Sequence, residues 1–229
     1  NPSEFPLTDE NFNQNEFFSG DKIHFLKTHN TLQQYEGNNF TTNKETLGAI
    51  YIVRDPRNLI TSLTHHYSLS YDDAYSKLVD ENAELLQKSS GNDHSNFTFL
   101  GSWSNHYKSW KSCKDFKILF IKYEDLEHNK FETFKKIVTF IESLKPIKNP
   151  INEKKLINSI NSTNFVNLKN KEKMEGFEES ITLNTGEKKS FFNLGFNNRW
   201  QKILPKKIFF KLNNSFQNDL NDLGYAINE

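Results

Sequence analysis

The chain has 229 residues, enough for one ordinary domain and short for two, and Lys+Arg and Asp+Glu both total 29, so its formal net charge is zero. Neutrality argues against a general nucleic-acid or polyanion binder, a mean hydropathy of −0.76 without long apolar runs excludes a membrane-spanning helix, and the single cysteine, Cys113, rules out an internal disulfide framework or a Cys-based zinc site. Only three of the 29 cations are arginine (Arg54, Arg57, Arg199), beside 30 asparagines and four alanines; where arginine persists against such a bias, its planar bidentate fork is informative, because lysine cannot copy it.

Residues 1–21 are polar and aperiodic and read as an irregular lead-in. KIHFLKTHN (22–30) predicts a short strand ending in a polar cluster, and LGAIYIVRDP (47–56) a second, whose buried stretch Ala49–Val53 stops at a charge and Asp-Pro. Asp55 as N-cap and Pro56 as first helical residue predict a helix to about Ser68. Helices are predicted over roughly 71–89 and 101–112, the second with Trp103, His106, Tyr107 and Trp110 at helical spacing. KILFIKYEDL (117–126) predicts a third buried strand, followed by helices over 130–144 and 151–162. The Lys/Glu/Asn-rich stretch 166–190 reads as a mobile surface loop, and FFNLGFNNRW precedes a helix from Pro205 to about Leu223.

There is no internal repeat or long linker, so one domain over 1–229 is expected, with 21 phenylalanines able to supply its core. Strands alternating with helices, each strand ending in a polar cluster, indicate a three-layer α/β fold with a central parallel sheet. In such folds ligands sit beyond the carboxyl ends of the strands.

The candidate chemistry falls there. Arg54 sits at a strand exit before a helix N-terminus, and Ser62 returns to that helix's face two turns on, so the two could hold one phosphate group. The alternative is that Arg54 and Arg57 pair with neighbouring carboxylates and Ser62 is merely packed. His29, two residues after Lys27, fits a general base beside an electrostatic stabiliser, or is an ordinary loop histidine. Tyr123, at the third strand's end, could stack on a base or cap the core. Trp103 and Trp110 read as core, and His65 and His66 as surface or packing residues, since nothing completes a metal site around them.

Together, KTH (27–29), IVRDPRNLITSLTHHY (52–67), GSWSNHYKSW (101–110), FIKYEDL (120–126), STNF (162–165) and FFNLGFNNRW (191–200) resemble, in order, the cytosolic-type sulfotransferases. The resemblance covers most of the chain from about 22 to 200 and implies a P-loop-NTPase-like α/β fold. It also implies the donor 3′-phosphoadenosine 5′-phosphosulfate (PAPS), no metal, and a small-molecule or carbohydrate hydroxyl acceptor. On that resemblance His29 would deprotonate the acceptor and Lys27 would stabilise the sulfuryl group. Arg54 and Ser62 would bind the 3′-phosphate, and Tyr123, Thr163 and Phe165 would surround the adenine. Asn193, Leu194 and Gly195 would close over the 3′-phosphate, and His106 would border the acceptor.

Two departures qualify it. The family's Pro-Lys-Ser-Gly-Thr-Thr-like loop, which cradles the 5′-phosphosulfate, has no counterpart before Lys27, so the chain is expected to be an N-terminally incomplete fragment. Asn193-Leu194 stands where many relatives carry Arg-Lys, which predicts weaker donor binding, with Arg199 as a compensating charge. A non-catalytic adenine-nucleotide or protein-interaction module is the alternative reading, and a nucleotide kinase of related fold a third. A cytoplasmic setting is the default.

Overall fold

The computed structural model describes residues 23–35, 37–86, 97–177, 179–182, 186 and 188–227. In chain order its elements are β1 (Gly48–Val53), α1 (Pro56–Tyr67), α2 (Tyr71–Val79), β2 (Glu84–Leu86), β3 (Phe97–Phe99), α3 (Trp103–Lys111) and β4 (Lys117–Lys122). They continue with α4 (Tyr123–His128), α5 (Lys130–Leu144), α6 (Glu153–Ser162), α7 (Phe165–Glu175), β5 (Ile181–Thr182), β6 (Lys188–Lys189), a 3-10 turn at Gly195–Asn197, α8 (Trp200–Ile203) and α9 (Lys206–Asp222). The described residues divide into two compact units, a larger one from 48–78 and 119–227 and a smaller one from 23–47 and 79–118.

In the larger unit β1 pairs with β4 in a parallel sheet flanked by helices, the α/β arrangement expected. The β1–α1 junction follows its local code. The Asp55 carboxylate caps α1 by accepting from Arg57 N at 2.9 Å, and Pro56 occupies the first turn, where its missing N–H costs nothing. α9 buries Ile208, Leu212, Phe216 and Leu220, a stripe at four-residue spacing, each side chain contributing about 1.5–3 kcal/mol. Trp200 stacks on Phe209 with centroids 5.0 Å apart. In the smaller unit β2 and β3 form an antiparallel pair with Leu85 opposite Thr98. Ser102 caps α3, whose buried face is Trp103, Tyr107 and Trp110.

Several expectations are corrected. Residues 23–30 form no strand, and Phe25 and Leu26 are exposed; a strand has no hydrogen bonds of its own, and no described strand lies in a ladder with this segment. The helix predicted to 89 stops at Val79, because Asp80 turns the chain by accepting from Asn82 N (2.9 Å) and Ala83 N (3.3 Å), and β2 follows. The third strand ends at Lys122, and its polar tail is helix α4. The loop predicted over 166–190 is largely helix α7, capped by Asn164, followed by the antiparallel β5–β6 pair. Within β1 only Val53 is buried and Ile52 is half exposed, since β1 has one strand partner among those described. Phenylalanine does not build the core: Leu, Ile and Trp dominate it, with Phe216 its one buried phenylalanine among the described residues. No described helix is long and apolar enough to cross a membrane.

Candidate functional site

The larger unit gathers three of the predicted residues at the exit of β1. Arg54 Nη1 donates to Ser62 Oγ at 3.0 Å, and the Arg54 guanidinium lies over the Tyr123 ring, 4.3 Å from its centroid. Ser62 Oγ also accepts from Asn198 Nδ2 at 3.1 Å, so its lone pairs are taken and its own proton is left to donate. Asn198 is buried and fixed twice more, donating to the Asn58 carbonyl at 2.9 Å and accepting from Thr61. Arg54 Nε is buried without a hydrogen-bond partner among the described residues. An unsatisfied buried donor on a charged group costs at least about 1–3 kcal/mol, and an anion is what would satisfy it. Burial pushes the Tyr123 phenol up, against the opposing pull of Arg54, so the ring stays neutral. An orphaned cationic donor, a hydroxyl with an uncommitted proton and a neutral aromatic face together fit a phosphate beside a planar base.

Arg57 is spent elsewhere. It is almost wholly buried and pairs bidentately with Asp55, Nε to Oδ1 at 2.9 Å and Nη2 to Oδ2 at 2.7 Å, while stacking 4.2 Å from Trp200. Of the two open readings of these arginines, internal pairing with a carboxylate holds for Arg57, while Arg54 meets Ser62 and Tyr123 instead. Glu124 completes this structural corner. Its Oε1 accepts from Asp55 N (3.2 Å) and Asn58 Nδ2 (3.3 Å), and its Oε2 from the Tyr225 hydroxyl (2.9 Å). Burial first, then Glu124, pushes the Tyr225 phenol up. A cavity of about 340 Å³ opens here, lined by Asp55, Arg57, Glu124 and Arg199 but not by Arg54 or Ser62. Arg199 is exposed at that rim.

Phe165, Asn193 and Gly195 form a second group in the same unit. Gly195 has φ +54°, and a Cβ there would meet the Phe165 ring at 2.7 Å, so both its conformation and its contact require glycine. Lys169 Nζ donates to the Asn193 carbonyl at 3.0 Å. Leu194 is half-buried beside them. Thr163 is exposed and closes α6 by donating to the Ser159 carbonyl at 2.7 Å. At the other end of α1, His65 Nε2 donates to the Ser190 carbonyl (2.9 Å), Lys189 Nζ caps the His65 carbonyl (3.0 Å), and His66 packs edge-on against Phe191, the packing role expected for this pair.

The smaller unit carries Lys27, His29 and His106. Lys27 and His29 are exposed, while the backbone just after them is anchored. Buried Asn30 accepts from Phe99 N (2.9 Å) through its side chain and from Trp110 Nε1 (3.0 Å) through its carbonyl. His106 Nε2 meets the His29 carbonyl at 3.0 Å; a carbonyl only accepts, so this nitrogen carries the proton. Burial holds the His106 imidazole below its ordinary range, and it is neutral at neutral pH. Sequence reasoning missed Asn198, Glu172 and Lys169; single polar residues in a chain with 30 asparagines and 26 lysines carry no signal of their own.

A sulfotransferase-domain family model matches residues 15–224, and the chain belongs to that family. Among solved structures it is similar to a mouse sulfotransferase, SULT7A1, complexed with PAP (21% identity, TM-score 0.52), covering 76% of this chain and 60% of that one. It is also similar to retinol dehydratase in a complex with retinol and PAP (20% identity, TM-score 0.51), covering 76% of this chain and 47% of that one. At these identities the likeness establishes the fold, P-loop-like α/β. The match spans 60% of the first of these structures and 47% of the second.

Proposed function

We propose that this chain serves transfer of a sulfuryl group from PAPS to a hydroxyl acceptor, with Arg54 and Ser62 holding the donor's 3′-phosphate. The observation that carries the reading is the Arg54 guanidinium, clamped by Ser62 and Tyr123 yet left with a buried, unpartnered Nε. A phosphate oxygen would give the Arg54 Nε and the Ser62 proton the acceptors they lack among the described residues. Tyr123 and Phe165 offer flat apolar faces for the adenine, and the family match supports a sulfonated nucleotide as the donor.

The donor supplies an activated sulfuryl group. The S–O bond to the 5′-phosphate breaks, a new S–O bond forms to the acceptor oxygen, and His29 takes the acceptor proton, leaving a sulfate ester and 3′-phosphoadenosine 5′-phosphate (PAP). Lys27 stabilises the charge on the sulfuryl oxygens. The chain's task is positioning and electrostatics rather than covalent chemistry. The acceptor class is a small-molecule or carbohydrate hydroxyl.

Calorimetric titration of the full-length protein with PAP and with AMP tests the donor assignment. A charge-assisted phosphate contact predicts PAP tighter by about ten- to a hundredfold. Arg54→Lys, which keeps the charge and loses the fork, should erase most of that preference. Equal wild-type affinity for the two nucleotides would sink the reading.

A further inference from the structure

Helix α7 buries one residue, and it is a carboxylate. Glu172 is 9% exposed. Its Oε1 accepts from Ser180 Oγ (2.8 Å) and Phe191 N (2.5 Å), and its Oε2 from Ser190 Oγ (2.7 Å) and Phe192 N (3.0 Å). Taking a carboxylate out of water costs several kcal/mol unless its oxygens are fully bonded, and here each oxygen takes two donors. Burial alone would raise this carboxyl; the four hydrogen bonds outweigh it and keep it below its ordinary range.

One turn earlier on the same helix face, Lys169 holds the next piece of backbone by the opposite group, the Asn193 carbonyl. The carboxylate collects two successive N–H groups and the ammonium collects the carbonyl that follows. Across a trans peptide the C=O and the following N–H point in opposite directions. Turning the Asn193 carbonyl onto Lys169 therefore aims the Leu194 N–H away from α7. Neither Leu194 N–H nor Gly195 N–H has an acceptor among the described residues. The same helix also supplies Phe165, whose ring fills the space a Cβ at Gly195 would need. Helix α7 thus sets the direction, the peptide orientation and the seat of residues 190–195.

We propose that Glu172, with Lys169, is a positioning residue for the donor nucleotide, fixing Ser190–Phe192 so that the amides of Leu194 and Gly195 face the 3′-phosphate in place of an Arg-Lys side-chain pair. This rests on the donor reading above and extends it to two residues that touch no nucleotide.

Titration of the full-length protein with PAP and AMP separates the two claims. The PAP-over-AMP preference should fall about tenfold in Glu172→Ala, with AMP affinity unchanged, because about 1.4 kcal/mol of amide-phosphate alignment is lost. Glu172→Gln keeps one acceptor oxygen but faces an NH₂ toward a backbone N–H, so its loss should be intermediate. Lys169→Met should lose least. A residue that only stabilised the fold would weaken both nucleotides together and leave the preference intact. If the wild type prefers PAP and the variants keep that preference, this inference is overturned and the donor reading stands. If the wild type shows no preference, both fall. Should Glu172→Ala fail to fold, Glu172→Gln and Lys169→Met decide, and an unchanged preference in both overturns the proposal.

Discussion

The surroundings of Arg54 and of His29 are anchored in different ways. Arg54 is held by its side chain, bonded to Ser62 and stacked on Tyr123, at a junction between a strand and a capped helix. His29 is held by its backbone: its carbonyl meets His106, and its neighbour Asn30 ties to Phe99 and Trp110, while the imidazole itself is exposed. A group that binds a fixed anion gains from a locked side chain. One held through its backbone keeps its place in the fold when its own side chain is replaced. Each region makes separate demands on mutation.

The largest expected effect is at His29. Replacing it by Ala in the full-length protein should lower transfer by about 10²–10⁴-fold, with PAP affinity unchanged in titration. Near-normal turnover would remove the base assignment and with it the functional half of the comparison. Next comes Arg57→Ala, which leaves the Asp55 carboxylate buried without its bidentate partner. Urea unfolding should show a loss of about 3–5 kcal/mol; a change below about 1 kcal/mol would mean that the corner is not the anchor described. Asn30→Ala removes the acceptor of the Phe99 N–H and should destabilise by about 1–3 kcal/mol. It should reduce turnover without touching PAP binding, and a drop in PAP affinity would blur the line between the two regions.

The smallest effect concerns pH. The folded His106 stays neutral below its ordinary titration range, whereas the unfolded chain takes up that proton. Its contribution to stability is therefore present above about pH 6.5 and is lost as the pH falls toward the lowered folded value. His106→Asn should flatten the melting temperature between about pH 7 and pH 5. His66, also held low by burial, keeps a residual slope. An identical slope in wild type and variant would show that His106 is not the group responsible.

The β1–α1 junction was legible because its determinants lie within ten residues: apolar run, Arg, Asp cap, Pro, and Ser62 two turns on. α5 over Lys130–Leu144 and α9 over Lys206–Asp222 fell close to their predicted bounds for the same reason, since helical periodicity is written along the chain. α7 escaped, because its hydrophobic pattern is weak and its buried residue is a glutamate. Only the donors at 180 and 190–192, brought in from outside the helix, make that burial affordable. The β2–β3 pair escaped because three residues on each side make a strand only through one another.

By itself the sequence determined the α/β order of elements, the helix starts, and the placing of Arg54 and Arg57 at a strand-to-helix junction. Caps, periodicity and strand-to-helix junctions are short-range interactions. The tertiary structure decided which of the two junction arginines is paired internally, since Arg57 is taken by Asp55 and Trp200 while Arg54 Nε has no partner among the described residues. It also decided that 23–30 is no strand and that Glu172 holds the segment before Gly195. Those outcomes depend on hydrogen-bond partners far along the chain, and a residue's availability is settled by which partners reach it first.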